Sequence, residues 1–228
     1  MNRDSIEAIT FDAAGTLIQL AEPVGVSYAR VAKQHGIHSD PEALNRAFGR
    51  VWKRTPPPFS PDSAVSDPHE KSWWSRIVRE VFTEAGTTLP PDEAYGIFFE
   101  ELYRHFESPG TWLAVPDAKD VVSQVSRRYR CALLSNFDGR LRPILDNLGM
   151  LDFFEKHFLS CEIRASKPDP EIFRTAAEEL GLPPEFILHV GDDPECDGKG
   201  AQEAGFQHFR VGKTGRPIRE LIEELSLA

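Results

Sequence analysis

From residue 110 onward, short apolar runs alternate with amphipathic stretches, and this alternation most constrains what the chain can fold into. Apolar runs at 130–134, 158–160, 186–190 and 206–211 are interleaved with segments at 117–129, 141–148, 169–180, 195–204 and 217–225, whose apolar residues recur at spacings of three and four. A further β-rich run, 6–11, stands near the start. Strands separated by helices of this length form βαβ units, with parallel strands and right-handed crossovers. The expectation is an α/β fold, a doubly wound Rossmann-like parallel sheet with helices on both faces.

The alternation fails over residues 22–108, where every pattern is helical: 24–35, 41–54, 72–85 and 91–106. Between the second and third of these, 55–68 contains Pro56, Pro57, Pro58, Pro61 and Pro68 and propagates neither helix nor sheet, so it reads as a surface loop. A length of 228 residues suits one main domain carrying an insertion. Residues 1–17 and 111–228 are expected to form the core, and 18–110 an inserted helical-bundle cap.

Twenty-six Lys+Arg against 36 Asp+Glu leave a formal net charge of −10. Such a chain repels nucleic-acid phosphates and anionic membranes at long range, so neither is an expected partner, and any phosphate must be held locally. No run approaches the roughly 18 apolar residues of a membrane-spanning helix. The acids in Met-Asn-Arg-Asp-Ser-Ile-Glu do not suit a signal peptide. Cys131, Cys161 and Cys196 are odd in number and lack CxxC spacing, which indicates neither a disulfide framework nor a zinc ribbon. Free thiols agree with a reducing compartment, and the expectation is a cytoplasmic monomer or homodimer.

In doubly wound sheets ligands bind beyond the carboxyl ends of the strands. Four polar groups stand at such ends: Asp12, Ser135-Asn136, Lys167 before Pro168, and Gly191-Asp192-Asp193 with Asp197 a turn later. One strand-end Asp is commonly a helix cap, but four such groups at successive ends are hard to explain as caps. Carboxylates, a hydroxyl and an ammonium converging on one loop cluster make a divalent-metal site beside an anion site, the arrangement that holds phosphoryl groups.

These residues resemble the haloacid dehalogenase-like hydrolase superfamily, in its subgroup with a helical cap after the first strand. The resemblance rests on Phe11-Asp12-Ala13-Ala14-Gly15-Thr16-Leu17, Leu133-Leu134-Ser135-Asn136, Lys167-Pro168-Asp169-Pro170 and Val190-Gly191-Asp192-Asp193-Pro194-Glu195-Cys196-Asp197, and covers essentially the whole chain. It is closest to the haloacid dehalogenase-like hydrolase domain-containing group, which shares Ser-Asn-Phe-Asp and the Trp73-Trp74 pair. The resemblance implies Asp12 as a nucleophile forming an aspartyl-phosphate. It implies Mg²⁺ bound by Asp12, the Ala14 carbonyl and Asp192, with Asp193 or Asp197 orienting or completing the site. Ser135 and the Asn136 backbone amide would hold a phosphoryl oxygen, while Lys167 would neutralise charge. The implied substrate is a small phosphorylated metabolite.

One position departs from the family's phosphatases: their second Asp, two residues after the nucleophile, is Ala14 here. That Asp protonates the leaving group and activates water, help that contributes roughly 10²–10⁴-fold. Asp193, Glu195, His38 and His69 are conceivable substitutes. Other readings are a 2-haloacid dehalogenase, against which the acidic 191–193 stretch argues, and a phosphonatase-like enzyme using Lys33, Lys53 or Lys71 as a Schiff base. A phosphate-binding pseudoenzyme is the non-catalytic alternative.

Overall fold

The computed structural model describes residues 5–59 and 70–227. The chain divides into two compact units, one formed by the chain up to Gln19 and from Leu113 onward, the other by Leu20–Trp112.

The first unit holds a five-stranded sheet of β1 (Ala8–Phe11), β4 (Arg130–Ser135), β5 (Lys156–Leu159), β6 (Ile187–Gly191) and β7 (Gln207–Arg210), in the order β5-β4-β1-β6-β7. All four pairings are parallel, as the alternation of runs predicts. The central strand, β1, aligns Phe11 with Leu133 on one side and Val190 on the other. The chain adds strands to one side of β1 and then to the other, so the topological switch point lies at the end of β1.

One sheet face carries Ala8, Ala132, Leu134 and Ile187 against Ile172, Phe173, Ala176 and Leu180 of α8 (Pro170–Leu180) and Ala201 of α9 (Gly200–Glu203). The period of two turns Ile9, Phe11 and Leu133 to the opposite face. The apolar stripes of α5 (Ala118–Val125) and α6 (Leu141–Asn147) are buried through Val121, Val122, Val125, Leu141, Ile144 and Leu145. A single turn, α7 (Ser160–Ile163), follows β5.

The second unit is α1 (Val24–Gln34), α2 (Pro41–Arg54), α3 (Glu70–Glu84) and α4 (Asp92–His105) around Tyr28, Leu44, Val51, Trp73, Ile77, Phe82, Phe98 and Leu102. Asp40 starts α2 by accepting from the Glu42 and Ala43 N–H groups, with Pro41 in the first turn. Trp73 is buried, and Trp74 stacks on Trp52 at 5.8 Å. Part of the expected proline-rich loop, and His69, lie outside the described residues.

Three details differ from the sequence expectation. Two short strands, β2 (Ile18–Leu20) and β3 (Trp112–Ala114), pair where the chain leaves and re-enters the first unit; three residues are too few to show alternation. The helix expected at 195–204 is a π-helical segment, Pro194–Lys199, followed by α9. In it the N–H groups of both Asp197 and Gly198 reach the Asp193 carbonyl, and a Cβ at Gly200 would come within 2.9 Å of the Phe173 ring. The closing helix is α10 (Glu220–Glu224), shorter than its apolar pattern. No helix among the described residues is long and apolar enough to cross a membrane.

Candidate active site

The Asp12 N–H continues the ladder of β1 to the Val190 carbonyl at 2.9 Å, so its carboxylate emerges between the ends of β4 and β6. Asp12 Oδ1 accepts from Ser135 Oγ at 2.9 Å and from Lys167 Nζ at 2.8 Å. Lys167, only 1% exposed, also donates to Asp197 Oδ1 at 2.5 Å. Asp197 has two further donors: Oδ1 accepts from His189 Nε2 at 3.0 Å, and Oδ2 from the Asp193 N–H at 2.9 Å. Asp192, half-buried, accepts from Thr16 Oγ1 at 3.3 Å. Gly15, at φ +94°, lets the loop pass here, because a Cβ would lie 2.5 Å from Asp192 Oδ2.

The cluster thus holds three carboxylates and one ammonium, which bonds to two of them. Burial works against the charge on Asp197, but Lys167 and His189 outweigh it and hold the group well below the usual carboxylate range. Burial also opposes the charge on Lys167, and Asp12 and Asp197 more than offset this, so its ammonium is held above the usual lysine range. Asp12 and Asp192 carry the surplus negative charge. Burial, with the charge of Asp197, raises Asp12; burial, with Asp12 and Asp197, raises Asp192 to about 6.

Oxygens of Asp12, Asp192 and Asp197 all lie within 4.8 Å of one another, a group able to hold a metal ion. The donor set fits a hard divalent cation, since it is all oxygen and carries excess negative charge. Within it, Asp12 and Asp192 have capacity to spare, because Asp12 Oδ2 has no partner among the described residues, whereas both Asp197 oxygens are engaged.

Of the two acids left open by the sequence, Asp197 belongs to this cluster and Asp193 does not. Asp193 Oδ1 accepts from the Glu195 and Cys196 N–H groups as the cap of the π-helical segment. Ser135 and Lys167 meet Asp12 directly. The Asn136 side chain instead clamps the Lys167 backbone, its Oδ1 accepting from the Lys167 N–H at 2.7 Å and its Nδ2 donating to the Lys167 carbonyl at 2.8 Å. The Ala14 side chain is exposed. Glu195 pairs with Lys199, and His38 is exposed between α1 and α2. Lys33 and Lys53 are exposed, and Lys71 is bonded to Glu100 at 2.7 Å. Burial pushes the Cys196 thiol up to about 12, so it supplies no nucleophile beside the cluster.

Residues 6–205, which include every residue of this cluster, match the haloacid dehalogenase-like hydrolase family. The chain belongs to that family. This haloacid dehalogenase-like hydrolase is 32% identical over 211 residues to human haloacid dehalogenase-like hydrolase domain-containing protein 3, covering 92% of this chain and 83% of that one. Its fold is similar to that of a HAD phosphatase from Thermococcus onnurineus, with a TM-score of 0.64 and 22% identity over 96% of this chain and 98% of that chain. It is also similar in fold to L-2-haloacid dehalogenase from Xanthobacter autotrophicus, with a TM-score of 0.70 and 23% identity over 96% and 83% of the two chains.

Three residues of the cluster have no assigned role in the sequence reading: Thr16, Thr10 and His189. Thr16 is legible only as part of the first motif. Thr10 and His189 carry a signal of their own, since each is a polar residue within a strand otherwise built of apolar ones.

Proposed function

We propose that this hydrolase is a Mg²⁺-dependent phosphatase acting on small phosphorylated molecules through an aspartyl-phosphate on Asp12. The observation that carries the reading is the charge balance around Asp12: three carboxylates, one ammonium, and two of the carboxylates held above their ordinary range. Asp12, Asp192 and the Ala14 carbonyl would hold Mg²⁺, which would supply positive charge to the phosphoryl oxygens and to the attacking carboxylate.

The Asp12 carboxylate attacks phosphorus while its bonds to Ser135 and Lys167 fix the carboxylate plane. An O–P bond forms, the bond from phosphorus to the leaving group breaks, and the leaving oxygen departs with the electron pair. Ser135, the Asn136 backbone N–H and Lys167 stabilise the charge developing on the phosphoryl oxygens. Water then attacks phosphorus, the bond to Asp12 breaks, and inorganic phosphate is released. Ala14 neither donates the proton that an alkoxide needs nor accepts the one that water loses, so turnover is slow for poor leaving groups.

Metal-free displacement of halide from a haloacid suits the site less well. Asp192 beside Asp12 would set a second carboxylate against a carboxylate substrate. The test is p-nitrophenyl phosphate hydrolysis, run beside 2-chloropropionate and phosphonoacetaldehyde. Weak Mg²⁺-dependent phosphatase activity is expected, abolished in Asp12→Asn and raised in Ala14→Asp. Unchanged activity in Asp12→Asn overturns the mechanism; silence on all three substrates with retained Mg²⁺ binding favours a phosphate-binding pseudoenzyme.

A further inference from the structure

Thr10 and His189 are register partners on the adjacent parallel strands β1 and β6, at the level one residue pair before the strand ends. Both are fully buried, at 0% exposure. They lie on the face that carries Ala8 and Ile187, where the Phe173 ring packs edge-to-face with the imidazole, ring centres 5.5 Å apart. Two polar side chains placed there are costly unless each is satisfied. Each is: Thr10 Oγ1 lies 2.9 Å from His189 Nδ1, and His189 Nε2 lies 3.0 Å from Asp197 Oδ1.

The direction of these bonds follows from what each group can do. The Asp197 carboxylate only accepts, so Nε2 carries the proton. In the neutral ring Nδ1 is then an acceptor, and the Thr10 hydroxyl donates to it. The result is a one-way chain from the Thr10 hydroxyl to His189, from His189 to Asp197 Oδ1, and onto the same oxygen that receives Lys167 Nζ.

From this we infer that His189, oriented by Thr10, is a positioning residue for the active-site lysine. The inference rests on the phosphatase reading of the site. Lys167 Nζ is shared between Asp197 at 2.5 Å and Asp12 at 2.8 Å. By donating to Asp197 Oδ1, His189 takes up part of that oxygen's charge and limits its pull on the ammonium. Without the donor, Asp197 draws Lys167 toward itself and away from Asp12, where charge develops in the transition state. Loss of His189 therefore affects kcat more than KM, a division that general loosening of the fold does not produce.

The experiment compares His189→Leu, His189→Gln and Thr10→Val in the full chain with p-nitrophenyl phosphate and Mg²⁺. His189→Leu is expected to lower kcat about ten- to a hundredfold, the range for removing a hydrogen bond to a charged group, with KM within about threefold. His189→Gln restores most of the rate, because its amide both donates to Asp197 and accepts from Thr10. Thr10→Val gives a smaller loss. Two readouts need no turnover. Long-range ¹H–¹⁵N spectra of histidine-labelled protein, with His189 assigned from the glutamine variant, are expected to show the Nε2–H tautomer. Orthovanadate, a mimic of the five-coordinate transition state, is expected to bind His189→Leu about ten- to a hundredfold more weakly, and inorganic phosphate nearly as before. An Nδ1–H tautomer overturns the inference, as does wild-type kcat or wild-type vanadate affinity in His189→Leu. Asp12→Asn run in parallel separates the two readings: if it keeps full activity the phosphatase mechanism fails, and if it is dead while His189→Leu is unaffected, only the positioning role fails.

Discussion

Replacing Lys167 by Met removes the one ammonium that joins Asp12 to Asp197 and leaves a side chain of similar length. Two buried carboxylates with oxygens within 4.8 Å of each other are then without a counter-charge. At an effective dielectric of about 20 and that separation, their repulsion is about 3.5 kcal/mol. Breaking a buried ion pair by removing one partner costs about 3–5 kcal/mol, so both routes converge on the same loss of stability near pH 7.5. All four tryptophans, at 52, 73, 74 and 112, belong to the helical unit, and their fluorescence reports on the wrong part of the molecule. Hydrogen exchange at the amides of β1, β4 and β6, read by mass spectrometry, reports on the right one. The expected acceleration is about 10²- to 10⁴-fold. Lys167→Met with Asp197→Asn should recover more than half of the loss, because one of the two repelling charges is gone. The deficit should also shrink toward pH 5. In the variant the folded state keeps a carboxyl proton that the unfolded state has released, so its stability falls as pH rises above about 4. Acceleration below about tenfold at pH 7.5, or an equal effect in the double variant, would refute the account of the cluster as a charge-compensated unit.

Asp192 is raised from its ordinary value of 3.8 to about 6, and a cation needs its charged form. Mg²⁺ affinity, measured by calorimetry, should therefore rise with pH through about 6 and level off above; at pH 5 about a tenth of the group is charged, which lowers affinity about tenfold. In the metal-free protein the same raised group makes stability fall between about pH 4 and 6, and saturating Mg²⁺ should abolish that fall, because the ion holds the group in its charged form. Gly15→Ala places a Cβ 2.5 Å from Asp192 Oδ2 at a φ of +94°. It should weaken Mg²⁺ binding at least about tenfold in the same titration, the loss expected for disturbing a ligand's support. Asn136→Ala removes both bonds that fix the Lys167 backbone. It should cost about 1–3 kcal/mol in thermal unfolding and lower kcat, because Lys167 loses its support.

Much of the architecture was legible because it depends on local pattern. Apolar spacing placed the five strands of the parallel sheet, and the run of helical periodicity in 22–108 matches the four helices of the second unit. The pattern was blind where elements are too short to show a period, as in β2 and β3. It was also blind where helical spacing does not distinguish a π turn from an α turn, as in Pro194–Lys199. In the site, Asp12, Ser135 and Asp192 were visible as polar residues at strand ends, and Asp197 as a carboxylate a turn beyond one; Lys167, also read as a strand-end group, instead lies in the loop between α7 and α8. The choice between Asp193 and Asp197 was not visible. Both follow β6, and only the π-helical segment turns Asp193 into a cap and buries Asp197 against Lys167.

By itself the sequence determined the alternation of the five strands of the main sheet with helices, the set of charged groups that follow those strands, and the absence of a carboxylate at Ala14. These are properties of residue identity and spacing. Only the tertiary structure decided which partners those groups have. Thr10, His189, Asp197, Lys167, Asp12 and Ser135 form one hydrogen-bonded line, although bonded partners in it lie as far as 179 residues apart in the chain. Register between β1 and β6 puts the threonine beside the histidine, and burial makes each of those bonds necessary. A buried polar group is defined by what surrounds it, and its surroundings come from strands that are distant in sequence.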